Sequence, residues 1–284
     1  LVINYSKSAF LQAQRTIPFA ITEAAMDGFP RLKIDLGEQF PPLKEAPIIE
    51  AIIHWQAQAS RPLPVETLST ELRSRLPEYP MCEPQAQVNL EIDSSTMLDT
   101  PLQVEQRISW NGLRLQDEQH HVVQFTPTGV VFSRLAPYAN WRNFQTDAMK
   151  HWDVFHEIAS PLTIQRLGVR YINQILLGSN EQPSTYLQME IPQASLIGLL
   201  SESFFYQDTY EVPGLPYGIN WIRTIQAQPQ NRRVLIFDIQ VFTTIEIVEL
   251  DRATLTQHLD EMRWLKNKIF FGCITQTALE RFGA

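Results

Sequence analysis

Apolar and polar residues alternate with period two over several stretches, and this pattern predicts strands. In residues 48 to 55, Ile49, Ala51, Ile53 and Trp55 fall on one face, with Ile48, Glu50, Ile52 and His54 on the other. A helical reading of the same residues gives no clean stripe, so a strand is expected, with Pro47 tolerated at its entrance. At that rise Glu50 and His54 are about 13 Å apart, too far to act as an acid–base couple with each other.

A change to spacings of three and four marks the helices. Val65, Leu68, Leu72 and Leu76 form one apolar stripe, closed by Pro77. Residues 86 to 135 read as consecutive antiparallel strands, with turns expected at Asn111-Gly112 and at Pro127-Thr128-Gly129. Asn140 is placed to cap a long helix striped by Trp141, Phe144, Ala148, Trp152, Phe155 and Ala159, ending at Pro161. RLGVRYINQILL, residues 166 to 177, returns as a strand. GSNEQPST, residues 178 to 185, is small, polar and proline-bearing, and reads as an internal boundary. Strands FFYQDTYEV, INWIRTIQ and RRVLIFDIQVF follow. Asp251 then caps a helix carrying Leu255, Leu259, Met262, Leu265 and Ile269, broken at Gly272, and Thr275 starts a last short helix.

Strands followed by a long helix, twice over, give an α+β fold: an antiparallel sheet with packed helices in two similar halves, residues 38–177 and 186–284. Residues 1–37 are polar and weakly patterned and read as a leader or appendage, with Met26 as a second start. They lack the charged-then-apolar order of a signal peptide.

Composition narrows the classes of function. The net charge of -8 disfavours indiscriminate nucleic-acid binding, though a local basic groove survives such a field. Cys82 and Cys273 are the only cysteines, which suits two thiols in a reducing cytoplasm better than a disulfide scaffold. No apolar run reaches the ~18 residues of a membrane helix. The expected setting is therefore cytoplasmic, without a membrane.

PPLKEAPIIEAI, VVQFTPTGVVFSRLAPYANWRNF, RLGVRYINQI and WLKNKIFFGCITQTALERF, in this order and spacing, resemble a sporadically distributed, uncharacterised bacterial family. The resemblance spans roughly residues 38 to 284 and leaves out the first 37. No reaction is implied by it. Patchy distribution implies mobile genes, such as defence or toxin–antitoxin-like cassettes.

Against this background three groups of residues are candidates. Arg166 and Arg170 share a strand face that meets Glu50 and His54 if the two strands are neighbours, and Asp238 interrupts an apolar strand. Such a face is either a pocket whose guanidiniums hold an anion or a set of cross-strand ion pairs, with Arg223 one expected partner for Asp238. Arg134, Tyr138 and Arg142 surround a strand-to-helix loop and form the preferred contact surface, with Tyr138 and Arg142 as its free members. Cys273, after Gly272, lies near a helix start where a dipole lowers a thiol pKa, although its apolar neighbours favour a packed thiol.

Other chemistry lacks a signal. His120-His121 point to opposite faces, and His151 and His156 are five apart, so no metal site is expected. No phosphate-binding glycine loop or nucleophile elbow occurs, and no cofactor is expected. The first expectation is a non-catalytic binding or regulatory protein with a protein partner or homo-oligomer. The alternatives are a ligand-binding or hydrolytic enzyme using Glu50, His54, Arg166 and Arg170, and an RNA-binding accessory protein.

Overall fold

Among the described residues, nine strands make one antiparallel sheet in the order β2-β3-β4-β5-β1-β6-β9-β8-β7, as seen in a computed structural model of the chain. The structure describes residues 32–63, 65–92, 104–178, 181–188, 203–228 and 232–284. The leader expected in residues 1–37 and the start at Met26 fall largely or wholly outside them. Residues 34–284 belong to one compact unit.

Strand β1 (Ile48–Gln56) lies at the middle of the sheet, paired to β5 (Gly129–Leu135) on one side and β6 (Arg166–Leu177) on the other. Outside β5 run β4 (His121–Thr126), β3 (Val104–Gln116) and β2 (Met81–Ile92). Outside β6 run β9 (Arg232–Thr243), β8 (Tyr217–Gln228) and β7 (Phe204–Glu211). The chain thus traces the same path twice. It lays down a central strand, leaves for the sheet edge, meanders back to pair with that strand, and ends in a long helix. The second course begins at β6, so residues 178 to 185 lie within it.

Among the described residues, the long helices pack on one face. Helix α1 (Val65–Arg75) buries Leu68 and Leu72, and α2 (Trp141–Ala159) stacks Trp152 on Trp55 and Phe144 on Phe132. Helix α3 (Arg252–Cys273) sets Phe270 against Phe237, and α4 (Gln276–Arg281) closes the chain. Alternation on β1 sends Ala51, Ile53 and Trp55, all at 0% exposure, into this layer. The expected caps are in place: Asn140 accepts from Asn143 N at 2.9 Å, Asp251 from Ala253 N and Thr254 N, and Thr275 from Ala278 N.

Asn111-Gly112 is not a hairpin turn. It lies inside β3, where Gln85 pairs with Gly112 and Ala86 with Trp110, leaving Asn111 as the extra residue of a bulge. Gly112 holds φ +130°, and a Cβ there would stand 2.1 Å from the Phe125 carbonyl oxygen. The residue pair that suits a tight turn also suits a bulge at close backbone approach. Pro127 and Thr128 do form the β4–β5 turn, and Gly129 follows at φ +145° with its missing Cβ 2.0 Å from the Trp55 carbonyl oxygen. Gly129→Ala should therefore force β5 from β1 and cost at least about 2 kcal/mol in urea denaturation.

The core also holds one imidazole. His151 is 1% exposed, stacked on Phe132 at 4.7 Å and met edge-on by Tyr79, and neither ring nitrogen has a partner of ordinary hydrogen-bond geometry. Burial, helped by the Lys150 charge, lowers its pKa to about 3. Below the unfolded value of about 6.5 the unfolded chain takes up a proton that the folded one refuses. Stability is then fully present above that pH and falls as pH drops toward about 3, by at most about 1.4 kcal/mol per unit. His151→Phe should reduce the loss of melting temperature between neutral and mildly acidic pH.

Candidate functional site

Two polar regions carry the sequence candidates. The first is the sheet face opposite the helices. Adjacent pairing of β1, β6 and β9 brings Glu50, His54, Arg166, Arg170 and Asp238 onto it, as the neighbouring-strand condition required. Within it, the guanidinium is already engaged. Arg170 Nε donates to both Asp238 oxygens at 2.9 and 3.1 Å, and Nη2 donates to Oδ2 at 2.5 Å. Asp238 is 5% exposed, so this bidentate pair is what allows a carboxylate into an apolar strand.

Arg223 is not the partner of Asp238. It stands opposite Phe237 in the β8–β9 register, hence on the other face, and pairs with Asp208. Arg166 lies 3.7 Å over the Phe242 ring, and its buried Nε has no hydrogen-bond partner among the described residues. Burial and the Arg166 charge lower the His54 pKa to about 4, so the imidazole is neutral near pH 7. Glu50 pairs in register with Ile172 and makes no side-chain hydrogen bond or ion pair with the other four.

The second region is at the head of α2. Asp117, after β3, accepts the backbone N–H groups of Gln119 at 2.9 Å and His121 at 2.7 Å through Oδ1. Its Oδ2 is 2.6 Å from His121 Nδ1. His121 Nε2 is 2.6 Å from Arg134 Nη1, its register neighbour on β5. Arginine can only donate, so Nε2 accepts and the ring hydrogen sits on Nδ1, bound to Asp117. The Arg134 Nε donates to the Pro137 carbonyl at 3.2 Å. An imidazole whose free lone pair is spent on a guanidinium orients that guanidinium; it is not a base offered to a substrate.

Arg134 lines a cleft with Gln119, His121, Ala139, Arg142, Asn143, Thr146 and Asp147. Arg142 is exposed on the first turn of α2, and among the described residues it has no ion pair. Burial raises the Asp147 pKa above the usual carboxylate value, against the pull of His121 and Arg134.

Tyr138 is not a free contact. Its hydroxyl is 2.9 Å from that of Tyr171, its ring packs edge-on against Phe144 and Tyr171, and burial raises its pKa to about 12. Cys273 ends α3 and begins no helix, and burial raises its thiol pKa. Sequence reasoning missed Asp117, because its link to His121 closes over a four-residue turn. The signal was an aspartate two residues before a free backbone N–H, the Asx-turn arrangement. It also missed Tyr217, whose hydroxyl donates to Glu261 at 2.5 Å and meets His258 Nδ1 at 2.8 Å, tying β8 to α3.

Comparison with protein-family models, curated proteins and solved structures finds no match to this chain. Among the described residues, no group of three His, Cys, Asp or Glu is placed to hold a metal, and no helix is long and apolar enough to cross a membrane.

The Arg170–Asp238 pair yields a direct test. Asp238→Ala should cost about 3 kcal/mol in urea denaturation by removing the carboxylate onto which a largely buried guanidinium forks. Arg170→Met combined with Asp238→Leu should cost less than that single change. A double variant at least as unstable as Asp238→Ala would mean that the charges themselves hold the register.

Proposed function

We propose that the protein is a non-catalytic binding protein whose contact surface is the cleft at the head of α2, and that it takes an acidic group of a protein partner. The carrying observation is the pairing of two arginines in different states. Arg134 is fixed by the Asp117–His121 chain, while Arg142 stands exposed beside it, with no ion pair among the described residues. A fixed guanidinium loses little entropy on meeting a carboxylate, and a mobile one supplies reach. Both are cations on a chain of net charge -8, so the cleft is a local attractor for acidic surface.

The competing pocket on the opposite sheet face is less favoured, because Arg170 already forks onto Asp238. The RNA-binding reading loses support too, since the Tyr138 ring packs within the protein and offers no open stacking platform.

The test is native mass spectrometry of the protein purified from its own host, comparing the wild type with Arg142→Glu. A glutamate in the first turn of a helix suits the helix dipole, so the melting temperature should hold. A second polypeptide or second copy present on the wild type and lost from the variant is the expected result. A complex that survives the charge reversal, or a wild type carrying only a small molecule, would overturn the proposal.

A further inference from the structure

Lys266 lies on the inner side of α3 and is 8% exposed. Its Nζ rests 4.0 Å from the centre of the Tyr171 ring, on β6. Among the described residues no hydrogen bond or ion pair reaches it. The charged group acting on it is Arg263, one turn earlier and of the same sign. Burial, reinforced by Arg263, lowers the amine pKa to about 7. A ring face replaces only part of the solvation that burial removes from an ammonium.

The surroundings repeat the imbalance. Arg263 is exposed, 5.8 Å from the Trp141 ring, and has no ion pair among the described residues. The hydroxyls of Tyr138 and Tyr171 share one hydrogen bond but carry two hydrogens, so among the described residues one O–H is left without an acceptor. Asp260, a carboxylate on this seam between α2 and α3, accepts through Oδ1 from both Trp141 Nε1 at 2.7 Å and Gln145 Nε2 at 3.0 Å, and among the described residues it makes no ion pair with either cation. Two cations and a spare hydroxyl gather there, and among the described residues neither cation has an ion pair.

We propose that Lys266, Arg263 and the Tyr138–Tyr171 hydroxyl pair form a binding site for the carboxylate of a small organic acid, entered from the exposed side of the α2–α3 seam. The group fits by count and by shape. A carboxylate offers two oxygens, enough for the Arg263 fork and the Lys266 amine together, with a lone pair over for the hydroxyl. It also neutralises like charges that otherwise repel. Arg263 is exposed and Lys266 buried, so an acid held by both would direct its organic tail outward past Tyr138, which is half-buried. This site is separate from the cleft of Arg134 and Arg142 and does not depend on it.

The test is a titration of the intact protein with acetate at neutral pH, followed by NMR of lysine side chains labelled at the ε carbon. One lysine signal should shift saturably, and its titration midpoint should rise with acetate, because the bound anion favours the charged amine. Lys266→Met should abolish the shift while leaving the melting temperature equal or higher, since a thioether fills the same space with no amine to desolvate. Arg263→Gln should weaken acetate binding about tenfold. A shift that persists in Lys266→Met belongs to another lysine and overturns the proposal, as does the absence of any saturable shift. If Lys266→Met does not fold, Arg263→Gln decides, because its side chain is exposed: unchanged affinity there overturns the site.

Discussion

The pairing of β1 with β6 is the constraint on which the rest depends. Each of these strands also anchors a meander, so every other strand takes its position from this central junction. Side chains alternate with period two, and a slip of one residue would drive Glu50 and His54 into the helix layer and expel Ala51, Ile53 and Trp55. Burial of Trp55 against Trp152 opposes that slip from one face. The buried Arg170–Asp238 fork opposes a slip of β9 on β6 from the other. One register therefore satisfies both faces.

The doubled chain path explains where the chemistry collects. Each course ends by sending a long helix back over the same face, so α2 and α3 meet side by side above the centre. Their contact is partly polar, with Arg252 on Asp153 and Trp141 on Asp260. The strand-to-helix corner of the first course supplies Arg134 and Arg142, and the seam between courses supplies Arg263 and Lys266. Neither place is at the sheet edges, where β2 and β7 end the ladder.

The alternating strands, the helix stripes and the three side-chain caps were legible because each is local: a period or a cap is contained within a dozen residues. The errors came where the answer depends on what lies across the ladder. Asn111-Gly112 carries turn chemistry, but Phe125 on the next strand makes it a bulge. Asp238 and Arg223 looked compatible until the register placed them on opposite faces. Tyr138 sits in a loop, yet Tyr171, thirty-three residues away, claims its hydroxyl. The same limit hid Lys266, which is buried with its amine 4.0 Å from the Tyr171 ring, ninety-five residues away.

What distinguishes the two proposed sites from the other charged positions is how each cation is held. Arg170, Arg223, Arg75 and Arg252 meet carboxylates directly, and their charge is cancelled where it stands. Arg134 is held by a neutral imidazole, with the Asp117 charge one ring away, and Lys266 by the face of a phenol. Arg142 and Arg263 have no ion pair among the described residues. A cation fixed by uncharged contacts keeps its field available, and a chain of net charge -8 has carboxylates to spare for cancelling it. That these four cations have no ion pair among the described residues, at the head of α2 and on the α2–α3 seam, is the physical ground for reading both as sites that select anions.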